Sequence, residues 1–137
     1  MKDLISFLCL TFFALCFPQS LSITKVVGYA SESNMNLISS ELQQKGFTLQ
    51  KSTVDGYPMH SYKKSSGEVI NITRNDELRM VIYKPSYEVY KVFKNKVLTK
   101  EFQYAYSYKN NDYYESNFMR IGYNDLNGII SFFKPLK

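Results

Sequence analysis

The feature that most restricts what this chain can fold into is a change of hydrophobic period that occurs twice. Met35, Ile38 and Leu42 recur at helical spacing, and after Gly46 the apolar residues alternate, strand-like, as far as Pro85. Tyr90, Phe93 and Val97 then repeat the helical spacing, and Phe102, Tyr104, Tyr106 and Tyr108 open a second alternating run. A 3.6-residue period lines one stripe of a helix, whereas a 2-residue period lines one face of a strand. Helix followed by strands, written twice, makes the fold class α+β.

The two runs can be overlaid. Setting Phe102 on Phe47 brings Val97 onto Leu42, Phe93 onto Ile38, Tyr90 onto Met35 and Tyr104 onto Leu49. Beyond small loop gaps, Met119 and Ile121 meet Ile70 and Ile72, and Ile130–Pro135 meets Met80–Pro85. Residues 32–85 and 86–135 therefore read as two divergent copies of one unit.

Within the first copy, Ser31 or Ser33 offers an N-cap and Gly46 a C′ residue for a helix over 33–45. Strands are expected at 47–54, 57–64, 68–74 and 78–84, with Asp55-Gly56 as the first hairpin turn. In the second copy Ser86 precedes a helix over 87–98, and Asn110-Asn111-Asp112 supplies the turn after the Phe102 run. Its later strands are expected at 113–116, 118–124 and 129–134. A unit of ~50 residues is marginal alone without disulfides or metal, so the copies must share a core. The expected fold is one antiparallel sheet of about eight strands with two helices packed on one face.

The N-terminus reads separately. Lys2, the apolar stretch Leu4–Phe17, Pro18, and Ser20 and Ser22 at the −3 and −1 positions have the layout of a secretory signal peptide, cleaved after Ser22. The apolar stretch is short of the ~20 residues that span a bilayer, so no transmembrane anchor is expected after processing. Residues 23–137 then form a single exported domain, periplasmic or extracellular. Both cysteines, Cys9 and Cys16, fall in the leader, which removes disulfides, thiol nucleophiles and thiolate metal sites from that domain.

Catalytic sets are scarce. His60 is the chain's one histidine, and with no second His or Cys beside it, it reads as a strand residue rather than as a metal ligand or general base. Most carboxylates sit at turns or on helix surfaces, and no Gly-rich phosphate loop occurs among six glycines. The expectation is a non-enzymatic protein without cofactor or metal.

Surface recognition remains. The chain has twelve tyrosines and a net charge of +5. Tyrosine offers a rigid contact area and a hydroxyl at small entropic cost. Tyr57, Tyr62, Tyr83, Tyr113, Tyr114 and Tyr123, near strand ends and turns, are the candidate binding residues, with Lys91 and Lys94 on the second helix. Tyr104, Tyr106 and Tyr108 share parity with Phe102 and are expected beneath the helices. The function expected is recognition of a protein partner through a sheet face or loops, in the manner of an inhibitor or immunity protein. The alternative is binding of envelope glycan or anionic lipid through a basic aromatic surface. A basic exported protein meets such anionic surfaces before nucleic acid, which is not an expected partner.

Overall fold

The computed structural model describes residues 21–98 and 100–136. The first 20 residues, which carry most of the expected leader, lie outside the described residues. In chain order the elements are α1 (Ile23–Tyr29), α2 (Met35–Gln44), β1 (Thr48–Val54), β2 (Tyr57–Lys63), β3 (Val69–Arg74), β4 (Leu78–Lys84), α3 (Tyr87–Val97), β5 (Gln103–Tyr108), β6 (Asn111–Glu115), β7 (Arg120–Asn124) and β8 (Ile129–Pro135). The strands form one antiparallel sheet in the order β1-β2-β3-β4-β8-β7-β6-β5, so two four-stranded meanders meet at the β4–β8 seam.

Register explains which residues form the core, because directly opposed residues in an antiparallel pair point to the same face. One row across the sheet reads Tyr62, Ile70, Tyr83, Ile130 and Tyr123. The next reads Ile72, Val81, Phe132 and Ile121. All nine are at most 2% exposed. Helix side chains meet these rows directly. Ser39 Oγ in α2 lies 2.7 Å from the Tyr62 hydroxyl, and in α3 the ring of Phe93 lies 5.5 Å from Tyr83 and that of Tyr90 6.4 Å from Tyr123.

Three of the expected surface tyrosines are thereby corrected. Tyr62, Tyr83 and Tyr123 are 0%, 0% and 1% exposed. Alternation identifies residues that share a face but is silent on which face is covered, and these three stand on the covered one. Tyr83 satisfies its hydroxyl on buried Glu68 at 2.9 Å, while the hydroxyl of Tyr123 is buried without a partner among the described residues.

Local chemistry sets the element ends. Asn34, rather than Ser31 or Ser33, caps α2 by accepting from the N–H groups of Asn36 and Leu37, and Ser86 caps α3 through Val89 N–H. Gly46 follows α2 with φ +86°, the left-handed conformation that only glycine adopts freely. Both outer hairpins turn on two left-handed residues, Asp55-Gly56 and Lys109-Asn110. The second turn thus sits one residue earlier than Asn110-Asn111-Asp112, and Asn111 already belongs to β6.

Two features depart from the sequence expectation. Helix α1 was not expected, since Ile23, Thr24, Val26, Val27 and Gly28 are poor helix formers. Tertiary contacts hold it: Val26 and Tyr29 are buried, the Tyr29 hydroxyl donates to Glu41 at 3.1 Å, and Lys25 pairs with the same carboxylate. The overlay of Met80–Pro85 on Ile130–Pro135 also sets buried Val81 on Ser131, which lies opposite Ile82 on the other face. A one-residue shift, matching Val81 with Ile130 and Tyr83 with Phe132, restores the face, as a period-2 pattern demands.

Candidate functional site

The opposite face of the sheet carries its own ordered set of side chains, centred on the β5–β6 hairpin. Tyr104 opposes Tyr114, but a bulge at Ala105 shifts the register so that Tyr106 opposes Tyr113. An extra residue in one strand turns everything beyond it to the other face. Tyr106 and Tyr108, expected under the helices, therefore stand on the opposite face, 41% and 58% exposed. Tyr104 keeps the parity of the core rows, yet on the edge strand it is 59% exposed.

The Tyr106 and Tyr113 rings stack with centroids 4.9 Å apart, and Tyr113 continues to Phe133 at 6.1 Å. Beneath the Tyr113 ring lies Gly122, opposite it on β7, where the missing side chain leaves room for the ring to lie down. Arg120 clamps the end of the stack. Its Nε donates to Glu115 at 2.6 Å, its Nη1 donates to the Tyr106 hydroxyl at 3.2 Å, and its guanidinium sits 5.6 Å from the Tyr106 ring centre. Burial and the neighbouring Tyr106 raise the pKa of Tyr113, with Arg120 opposing, so its hydroxyl is a neutral donor at neutral pH. Half-buried Met80, Ile82 and Met59 extend this face toward β2, and Val54 and Tyr57 end it at the first hairpin.

The structure separates the residues singled out in the sequence. Tyr57 and Tyr113 share the opposite face, and the Tyr57 hydroxyl donates to Asp76 at 3.4 Å. Tyr114 is half-buried on the core side, edge-on to Tyr104 and Tyr123 at 5.7 and 5.9 Å. Lys91 lies over the Tyr87 ring and pairs with Glu88 at 3.1 Å. Lys94 pairs with Asp125 at 2.7 Å, where Tyr90 also donates its hydroxyl, and these two contacts hold the Asp125 carboxyl below its ordinary pKa. Sequence reasoning missed Tyr106, Tyr108, Arg120 and Phe133. The bulge that exposes the first two has no signature in an unbroken alternation.

His60 lies on the core side opposite Ile72, its pKa lowered by burial and by Lys51. Among the described residues no three His, Cys, Asp or Glu side chains converge as metal ligands would. Among them, too, no helix is long and apolar enough to cross a membrane.

No family model, curated protein or solved structure matches the chain.

Proposed function

We propose that this is an exported, non-enzymatic binding protein that recognises a protein partner through the face of its sheet bearing Tyr106, Tyr113 and Phe133. In this reading the chain is a tandem duplication whose helices all cover one face and leave the other free. The leader of residues 1–22 directs it to the periplasm or the exterior. The partner is of the kind that an inhibitor or immunity protein engages, a folded secreted protein.

The observation that carries the reading is an aromatic stack, exposed at Tyr106 and half-buried at Tyr113 and Phe133, that Arg120 fixes in place. Tyrosine and arginine are the residue types on which binding energy concentrates, and they contribute most when already held in place. Here packing on Gly122, the Glu115 ion pair and the Tyr106–Tyr113 stack limit the motion of each group before a partner arrives. The alternative of a cationic surface for glycan or lipid has less support, since Lys91 and Lys94 each already face a carboxylate.

A photo-crosslinking residue tests the reading by position. Placed at Tyr108 it yields a discrete crosslinked protein in the exporting cell, and placed at Lys91 it yields none. Crosslinks from Lys91 alone, or retention on anionic vesicles that falls with salt, would favour the alternative.

A further inference from the structure

We infer that a cleft between α2 and the β2–β4 strands binds a small carboxylic acid with an apolar body. The cleft, of about 250 Å³, is lined by Arg74, Arg79, His60, Met35, Pro58 and Ile72. Three cations stand in one row at its floor and beside it, since Arg74 opposes Arg79 across β3–β4 and Arg79 opposes Lys134 across β4–β8. Like charges directly opposed repel, and nothing in the strand pattern requires them there.

Arg79 is the decisive residue. It is 4% exposed, yet no carboxylate lies within 4.0 Å of it among the described residues. Its Nη1 donates to the Tyr29 carbonyl at 3.3 Å, and its Nε is buried without any partner among the described residues. Burial and the adjacent Arg74 both disfavour its charge, and Glu32 offsets them only in part. The Glu32 carboxylate is itself engaged by the Asn34 N–H at 2.8 Å. Guanidinium groups do not deprotonate at neutral pH, so an unpaired buried arginine carries a large desolvation penalty that an anion would relieve.

The remaining walls define the anion. Met35, the first residue of α2, lines the cleft, so the positive end of that helix dipole lies beside it. A planar guanidinium suits the two oxygens of a carboxylate. Met35, Pro58 and Ile72 provide an apolar wall that a bare inorganic anion would leave unused. The volume lies below the ~300–1,000 Å³ of drug-sized pockets, which fits a compact acid. This site is separate from the face carrying Tyr113, so the two can fail independently.

Calorimetric titration of the full exported domain with valerate, benzoate, pentanamide and sulfate tests the assignment. Valerate or benzoate should bind saturably and raise the thermal midpoint, and pentanamide should bind about tenfold more weakly or worse. Arg79→Met should abolish acid binding while raising the midpoint of the unliganded protein, because it removes an uncompensated buried charge. Arg74→Gln, at the exposed end of β3, should weaken binding by about tenfold. Pentanamide binding equal to valerate, acid binding unchanged in both variants, or no saturable binding of either acid at millimolar concentration overturns the proposal. Sulfate binding more tightly than both acids overturns the carboxylate assignment.

Discussion

Tyr113 lies so close over Gly122 that a β-carbon there would sit 2.8 Å from Tyr113 Cε1. One ring thus covers a glycine on the neighbouring strand and, through that, reaches both Tyr106 and Phe133. Gly122→Ala should push the ring off its seat. Because the obstacle is a side chain and not backbone, the cost in stability should stay near ~1 kcal/mol, at the low end for overpacking. NMR should nonetheless show loss of the ring-current shifts that Tyr106 and Tyr113 exert on each other. Unchanged shifts would mean that Gly122 does not seat the ring.

Two buried tyrosines should respond oppositely to the same substitution. Tyr83 donates to buried Glu68, so Tyr83→Phe leaves that carboxylate short of a donor and should cost about 1–3 kcal/mol. The Tyr123 hydroxyl has no partner among the described residues, and Tyr123→Phe removes a buried polar group that gains nothing there. That variant should be neutral or more stable. Denaturant unfolding of both measures the contrast, and equal losses would contradict it.

Alkaline pH should unfold the protein through its tyrosines. Burial is the largest cause raising the hydroxyl pKa of Tyr29, Tyr83, Tyr90 and Tyr123 above 10.0, and Glu41, Glu68 and Asp125 raise the first three further. A folded pKa above the unfolded one contributes stability that is whole below pH 10 and declines as pH rises from there toward the folded value. Tyrosinate absorbance of these four should therefore appear together with loss of sheet signal in circular dichroism. Full ionisation of all twelve tyrosines with the sheet intact would contradict this.

The N-terminal boundary has a measurable consequence. Leu21 is 2% exposed in the core and Ser22 caps α1, its Oγ accepting from Lys25 N–H at 3.3 Å. A chain starting at residue 23 lacks both, and it should be less stable than one starting at residue 21 by about 2–3 kcal/mol, from a lost cap and a lost buried leucine. Thermal unfolding of the two chains decides it, equal midpoints refuting the contribution. Mass spectrometry of the protein isolated from its native cells shows which start the cell makes.

Much of this architecture was legible in the sequence because long periodic segments state their own type. The 35-38-42 and 90-93-97 stripes became α2 and α3, and the strands fell within a few residues of their expected ends. What stayed hidden depends on contacts distant in sequence. Helix α1 forms against its own propensities because Glu41 and the core hold it. The burial of Tyr62, Tyr83 and Tyr123 follows from which face the helices meet, a choice that period 2 leaves open. The site was half legible: Tyr57 and Tyr113 stand on the proposed face, whereas Tyr106 and Tyr108 reach it through a bulge at Ala105 that interrupts no pattern.

The proposed docking face is tested most directly by affinity capture from the native cell and its medium with the wild-type domain and the double variant Tyr106→Ala, Tyr113→Ala, each confirmed folded by circular dichroism. A partner captured by the wild type should bind the double variant more weakly by about 2 kcal/mol or more, the scale of an interface hot spot. Lys91→Glu should leave its affinity unchanged. A partner held equally by the double variant, or lost only with Lys91→Glu, would contradict the assignment.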